Sequence, residues 1–388
     1  MHIVDISALY SPKGGGIRTY TRRKLKIAER FGVRMTVVAP GVDDGVESFG
    51  EGRLISIKSP KFPLDRNYCY FANDGVIHRA LDDLAPDFVE CSSPWGSAAA
   101  VAEWPGQAPR ALFMHAEPMS AWVYRHLDGF LSRRVIDRSF GWFWRYLQRL
   151  DAQYQLVVTA APSVANRLRG GGLGHVVVHP MGVDPGVFSP DRRDEALRAG
   201  LLADCALPPD AVLALGVGRL SPEKQWPLVI AGVTAAAYGR ALGLVLLGDG
   251  HGRAAVQRAI GDNPHVRLLQ PVTGRDAYAS VLASADLLVH GCAAETFGLA
   301  CAEAAASGVP LVVPDEGGAF DQLVPGQGLS YRAGDAASLA GVLASSMPQL
   351  PALRAAATAA ASNAFTMDEH FAGLFAAYRQ QLLQPRAA

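Results

Sequence analysis

Disulfide chemistry is the first thing this chain does without: its 388 residues hold only five cysteines, Cys69, Cys91, Cys205, Cys292 and Cys301. They are odd in number, scattered and free of any C-x-x-C pair, so neither a disulfide framework nor a zinc site is indicated, and a reduced, cytoplasmic setting is expected. Long apolar runs are also missing. None reaches the roughly 18 to 20 residues that cross a bilayer, and the opening MHIVDIS reads as a β-strand without the basic-then-apolar plan of a signal peptide. Export by that route and membrane spanning are therefore not expected. Net charge is nil, with 36 Lys+Arg against 36 Asp+Glu, and no nucleic-acid partner is expected. No repeat of about 20 to 50 residues suggests a solenoid, and no D-x-D motif sits in a plausible loop to bind a divalent metal.

What is present fits a well-packed protein, 49% apolar and 19% charged, and too long for one ordinary core. Short β-branched runs recur at 2–7, 34–39, 53–57, 87–91, 110–115, 155–160 and 175–179, then at 211–217, 243–248, 265–269, 286–290 and 310–313. Helix-length segments separate them. Such spacing predicts parallel sheets covered on both faces, a doubly wound α/β architecture occurring twice with a cleft between the copies. Gly and Pro cluster in HPMGVDPGVFSPDRR, 179–193, which places the boundary there. The predicted domains are 1–180, 181–365 and a terminal helix, 366–388, docking back on the first. That helix opens TMDE, with Thr366 and Glu369 spaced as a capping box, and puts Phe371, Leu374, Phe375, Tyr378 and Leu382 on one face.

Ligands of doubly wound sheets bind beyond the carboxyl ends of strands, so the loops there hold the candidates. The first loop contains Gly14, Gly15 and Gly16 before a helix; it either brings backbone N–H groups close to an anion or is simply a flexible turn. It matches neither the dinucleotide nor the P-loop fingerprint. In VGRLSPEKQW, Arg219 and Lys224 lie five residues apart across a turn that opens a helix; they either converge on a diphosphate or are two solvated charges. In HGCAAETFGLACAEAAASGVP, Glu295 and Glu303 flank seven residues that include Phe297, Gly298 and Leu299. With a helix start near Thr296, Glu295 would lie at its amino end and Glu303 two turns in, facing the same way. A carboxylate in an Ala-rich helix either faces solvent or needs a hydrogen-bonding task.

The ordered set of a glycine loop, His115 at a strand end, GVDPGVF, GRLSPEK, LLGDG and E-x7-E resembles glycosyltransferase family four, of the GT-B fold, over essentially the whole chain. The resemblance implies that Arg219 and Lys224 neutralise the donor diphosphate. By the same resemblance Glu303 binds ribose, Glu295 contacts hydroxyls of the transferred sugar, and the backbone at Phe297, Gly298 and Leu299 lies against sugar and phosphate. Gly14 to Gly16 would close on the phosphates, and His115 would sit near the anomeric carbon. Two positions depart from the pattern. His115 is followed by Ala116 and Glu117 where many relatives have Asp, so Glu117 is only an acceptor-side candidate, and GGAFDQLV, 317–324, carries its acid at Asp321, farther from the glycines than is common.

The reaction so implied is retaining transfer of a hexose or hexuronic acid from a UDP- or GDP-sugar to a hydroxyl by front-face attack, with no cofactor and no metal. A nucleotide-sugar epimerase, a sugar phosphorylase or a non-catalytic binding protein of the same fold are the competing readings. Charge is unevenly spread: residues 1–180 carry 22 Lys+Arg against 17 Asp+Glu, leaving 14 against 19 for the rest. Arg134, Arg138, Arg145 and Arg149 form a stripe with Trp142 along 130–150, opposite Ile136, Phe140, Phe143, Leu147 and Leu150. That pattern is either an amphipathic helix packed on its own domain or one lying on anionic headgroups. The second alternative predicts a lipid or lipid-linked acceptor and peripheral attachment to the inner face of the cell membrane; the first leaves a soluble acceptor.

Overall fold

Two stacks of apolar strands organise the computed structural model, which describes residues 1–12, 16–63, 66–115, 135 and 138–383. The described residues divide into two compact units, one comprising 1–180 together with 368–383 and the other Met181–Met367. The first unit's sheet contains β1 (His2–Ile6), β2 (Arg34–Gly41), β3 (Gly45–Phe49), β4 (Gly52–Lys58), β5 (Phe88–Cys91), β6 (Arg110–Met114), β7 (Leu156–Thr159) and β8 (Val176–Val178). Their spatial order is β3-β4-β2-β1-β5-β6-β7-β8, parallel throughout except for the β3–β4 hairpin. Ile3 stands level with Met35 on one side and Phe88 on the other, and all three are fully buried.

The second unit's sheet contains β9 (Val212–Val217), β10 (Leu242–Leu247), β11 (Val266–Leu269), β12 (Leu287–Val289), β13 (Leu311–Pro314) and β14 (Gly328–Tyr331), in the order β11-β10-β9-β12-β13-β14. Two apolar cores flank it, one around Leu213, Leu215, Val245, Leu282 and Val313, the other around Trp226, Val229, Leu244, Val289 and Leu339. Burial on both faces accounts for the unbroken apolar runs that marked these strands in the sequence. Strand order reverses between β1 and β5 in the first sheet and between β9 and β12 in the second. Those are the two places where doubly wound folds receive ligands.

The helix Met367–Leu383 belongs to the first unit from Asp368 onward. Phe371, Leu374, Phe375 and Tyr378 are fully buried, and Tyr378 stacks on Phe88 with ring centres 4.3 Å apart. Leu382 does not share that burial: it is 39% exposed, at the rim of an open cavity lined by Leu81, Pro86 and Trp104. Beneath the helix lies an ionic cluster with no access to water. Lys24 Nζ donates to Asp5 Oδ2 and to Glu90 Oε1 at 2.7 Å each, Ser92 Oγ donates to Asp5 at 2.8 Å, and Tyr378 Oη donates to Glu90 Oε2 at 2.9 Å. Burial, opposed by Lys24, raises the Asp5 carboxyl to about 6. Two carboxylates sharing one ammonium hold the first helix (Gly16–Ile27), β1, β5 and the last helix together.

Candidate active site

In the second unit the loop after β9 carries Arg219 and Lys224, and the loop after its neighbour β12 carries Glu295. The β9 loop tightens into a short turn, Pro222–Lys224, before the helix Trp226–Ala236, and the buried Trp226 indole pins it by donating to Arg219 O at 3.0 Å. The glycines of LLGDG let the β10 loop press against it: Leu220 N bonds Asp249 O, Gly252 N bonds Leu220 O, and a Cβ at Gly248 would meet Gly218 O at 2.1 Å. Lys224 Nζ forms an ion pair with Glu295 Oε1, both side chains being less than one-fifth exposed. Burial alone would raise the Glu295 carboxyl, but Lys224 and His290 together hold it well below the usual range. Burial likewise depresses Lys224, and the charge of Glu295 outweighs it, so the ammonium sits well above its ordinary value. Arg219 is 67% exposed, its guanidinium 3.8 Å from Glu223.

His290, at the end of β12, was not singled out from the sequence. Its Nε2 lies 3.3 Å from Glu295 Oε1 yet has no aligned hydrogen-bond partner among the described residues, although the ring is buried. Glu295 thus stands between an ammonium and an imidazole, a carboxylate poised to accept from a hydroxyl. His290, Cys292 and Glu295 also bring three potential metal-ligand atoms within 4.8 Å of one another. They suit a cation poorly: burial pushes the Cys292 thiol up to about 12, and Lys224 already occupies the carboxylate.

The E-x7-E segment departs from its expected geometry. The helix starts at Leu299, not near Thr296, because Gly298 adopts a left-handed φ of 83° just before it. Glu295 therefore lies in the loop, Glu303 is one turn into the helix, and the two carboxylates have different partners. Glu303, 3% exposed, accepts from Arg275 Nη2 at 2.9 Å and from Tyr278 Oη at 3.0 Å. Burial raises its carboxyl, with Arg275 opposing. Arg275 in turn is held by Asp184 of GVDPGVF. Arg275 and Tyr278 begin the helix Arg275–Ser284 and carry no motif; only their position after β11 would have drawn the eye. They also line, with Val217, Leu247 and Val272, a cavity of about 340 Å³ at the carboxyl ends of β9 and β10. Phe297 is buried, with its carbonyl accepting from Gln322 Nε2 at 3.0 Å; Leu299 is half-buried, and Asp321 follows the short helix Gly317–Phe320.

In the first unit, His115 follows β6, its ring 4.4 Å from Phe113 and edge-on to Tyr20 at 5.1 Å. Burial, with Lys24 and His370 adding to it, depresses its imidazole to about 3, so the ring is neutral. Tyr20 Oη meets His370 Nε2 at 2.9 Å while His370 Nδ1 meets Pro180 O at 2.8 Å. A carbonyl can only accept, so Nδ1 carries the proton and Tyr20 is the donor. Gly16 opens the helix Gly16–Ile27, and a Cβ there would meet nothing within 4 Å. Trp142, Arg145 and Arg149 are exposed and Phe143, Leu147 and Leu150 buried on the helix Gly141–Asp151, whereas Arg138, also exposed, and the half-buried Phe140 precede it, so the expected stripe does not lie on this one helix. Gly14, Gly15, Glu117, Arg134 and Ile136 lie outside the described residues.

Comparison with known proteins agrees with this fold. Residues 14–187 match the family described as Glycosyltransferase Family 4, and residues 212–347 match Glycosyl transferases group 1. A GDP-mannose-dependent alpha-mannosyltransferase from Mycobacterium tuberculosis is 30% identical over 336 residues, 84% of this chain and 82% of that one. A GDP-mannose-dependent alpha-(1-6)-phosphatidylinositol dimannoside mannosyltransferase from the same species is 27% identical over 316 residues, 81% of this chain and 79% of that one. Among solved structures, sucrose-phosphate synthase from Thermosynechococcus elongatus superposes with a TM-score of 0.78 at 18% identity, over 98% of this chain and 99% of that one. With the strand order, the motifs and these relatives in agreement, the chain belongs to glycosyltransferase family 4 and is a hexosyl-transferring enzyme of the GT-B fold.

Proposed function

We propose that the enzyme transfers a hexose from a GDP-sugar, with mannose as the first candidate, to a hydroxyl of a lipid or lipid-linked saccharide with retention of configuration. The observation that carries this reading is the Lys224–Glu295 pair at the switch point of the second sheet, beside a cavity large enough for a nucleobase. GDP is favoured over UDP because the relatives matched over most of their length are named as GDP-mannose-dependent. In this reading the base enters the cavity beside Val217 and Val272, Glu303 takes the ribose, Lys224 and the exposed Arg219 take the diphosphate, and Glu295 and His290 face the sugar hydroxyls. His115 contributes a neutral imidazole that can hydrogen-bond the transferred sugar.

The two carboxylates of the E-x7-E motif, Glu295 and Glu303, are both engaged by cations and so are poor covalent nucleophiles. Front-face attack follows. The acceptor oxygen bonds to the anomeric carbon on the side from which the phosphate oxygen leaves, and the acceptor proton passes to that oxygen. Lys224 and Arg219 offset the charge that develops there. No metal is assigned, since two side-chain cations cover the diphosphate.

The lipid side of the reading rests on the exposed Arg138, Trp142, Arg145 and Arg149, and on the lipid acceptor in a relative's name. No described helix is long and apolar enough to cross a membrane, so attachment would be peripheral. Incubation with labelled GDP-mannose and UDP-glucose, with lipid extract, with soluble mannosides and with no acceptor, tests all of this. Lipid-soluble label in the α configuration from GDP-mannose is expected. Donor turnover without an acceptor, or turnover only with added inorganic phosphate, would replace the reading with an epimerase or a phosphorylase.

A further inference from the structure

Glu303 is almost wholly buried, so what it recognises must find lone pairs that the protein has left open. An ionised carboxylate offers about four acceptor positions. Arg275 fills one on Oε1 and Tyr278 fills one on Oε2, which leaves one on each oxygen. Two adjacent acceptors of this kind match the two donors of a vicinal diol. Both protein donors come from one face of one helix turn, since positions 275 and 278 are three residues apart. Arg275 is itself immobilised. Its Nε bonds Asp184 Oδ2 at 2.9 Å, its Nη2 reaches the same oxygen, and its guanidinium carbon lies 4.8 Å from the centre of the Phe188 ring. Asp184 and Phe188 are the third and last residues of GVDPGVF, which gives that segment a task beyond joining two domains.

We propose that Asp184, Arg275 and Tyr278 are positioning residues that fix the Glu303 carboxylate with one acceptor open on each oxygen, so that the donor site selects ribonucleotides by their 2′,3′-diol. This rests on the reading of Glu303 as the ribose ligand given above. The chain of contacts runs from the start of the second unit to the nucleotide site entirely within that unit. Arg275 supplies charge and direction, and Tyr278 supplies direction alone. Both also line the cavity, but Tyr278→Phe keeps the ring and Arg275→Lys keeps the charge there, so the loss these changes cause falls on ligands that carry the diol.

The test is calorimetric binding of GDP and of 2′,3′-dideoxy-GDP to the native protein and to Asp184→Asn, Arg275→Lys, Tyr278→Phe and Glu303→Gln, with a thermal melt of each. The native protein should prefer GDP. Tyr278→Phe and Arg275→Lys should weaken GDP by about 10-fold, as expected for a hydrogen bond to a charged group, and leave the dideoxy compound within about twofold. Equal weakening of both nucleotides, or of neither, overturns the proposal. If Glu303→Gln abolishes the preference for GDP while the other variants retain it, only the positioning role falls. If Glu303→Gln keeps the preference, or GDP does not bind the native protein, the underlying reading falls and takes the proposal with it. Should Arg275→Lys fail to fold, Tyr278→Phe, which removes one hydroxyl, carries the test.

Discussion

Replacing Glu295 by Gln should make a nucleoside diphosphate bind more tightly while making the enzyme slower. In the ligand-free protein the Lys224 ammonium is committed to Glu295. GDP, which has no transferred hexose to engage Glu295, must draw Lys224 away from a carboxylate and accept that carboxylate's negative charge nearby. Two unit charges about 4 Å apart interact by about 4 kcal/mol at an effective dielectric constant near 20. The side chains are 17% and 19% exposed, so water recovers part of that. If one-third to two-thirds survives, GDP gains about 1.3 to 2.7 kcal/mol, or roughly 10- to 100-fold in affinity. The neutral amide keeps the shape of Glu295 but is a weaker acceptor for a sugar hydroxyl, so kcat for the intact donor should fall. Folding stability should fall too, by up to about 3 kcal/mol, because Lys224 loses a partly buried partner. Isothermal titration of GDP at low and high salt measures the first effect and steady-state kinetics the second. A folded Glu295→Gln protein whose GDP affinity is unchanged or weaker refutes the exchange of partners.

Arg219→Ala and Lys224→Ala should each cost about 2.7–4 kcal/mol in the barrier if both cations meet developing phosphate charge; only Lys224→Ala should also lower the melting temperature, since Arg219 is 67% exposed, and a fully active variant removes the role assigned to that residue. Activity should survive excess EDTA, and a loss restored only by Mg²⁺ or Mn²⁺ would contradict the assignment of diphosphate binding to side chains. Native protein should co-sediment with anionic but not neutral vesicles at low salt, each Lys or Arg near the surface adding about 1 kcal/mol; an Arg138/Arg145/Arg149→Glu variant that binds equally well eliminates the lipid-facing helix. Acid should destabilise the fold: burial depresses His370 to about 4 and His115 to about 3, so their contribution is complete above the unfolded value of about 6.5 and is lost as pH falls toward 4. Asp5, raised to about 6, opposes one of them. Removing one such histidine by His370→Gln should flatten ΔG against pH by about 1.4 kcal/mol per pH unit between 6 and 4; an unchanged slope refutes the assignment.

All twelve strand segments read from the sequence are present, and the inner ones among them are apolar along their length because they are buried on both faces. The two that were not legible are edge strands. β3, Gly45–Phe49, is exposed and pairs antiparallel, so it carries no apolar run, and β14, Gly328–Tyr331, has only Leu329 and Tyr331 to mark it. At the candidate site, motif spacing pointed to Lys224, Glu295 and Glu303, but not to the direction each side chain takes. One left-handed glycine, Gly298, moves the helix start by three residues and sends the two glutamates to different partners. Arg275, Tyr278 and His290 were not legible as site residues because their meaning is set by what packs against them, and that is decided by strand order rather than by spacing along the chain.

The buried cluster of Lys24, Asp5, Glu90 and Tyr378 has a consequence for how the chain is made. The ribosome delivers Lys24 and both carboxylates first, whereas the Tyr378 hydroxyl that completes Glu90 follows it by 288 residues, together with the aromatic side chains that roof the cluster. Residues Met181–Met367 can therefore close around their own sheet while the unit begun first still has an unroofed core and an unfinished set of charges. A nascent chain stalled at Met367 should show a protease-resistant second unit and a digestible first one, and loss of the helix Met367–Leu383 should harm the unit whose strands lie farthest from it in sequence.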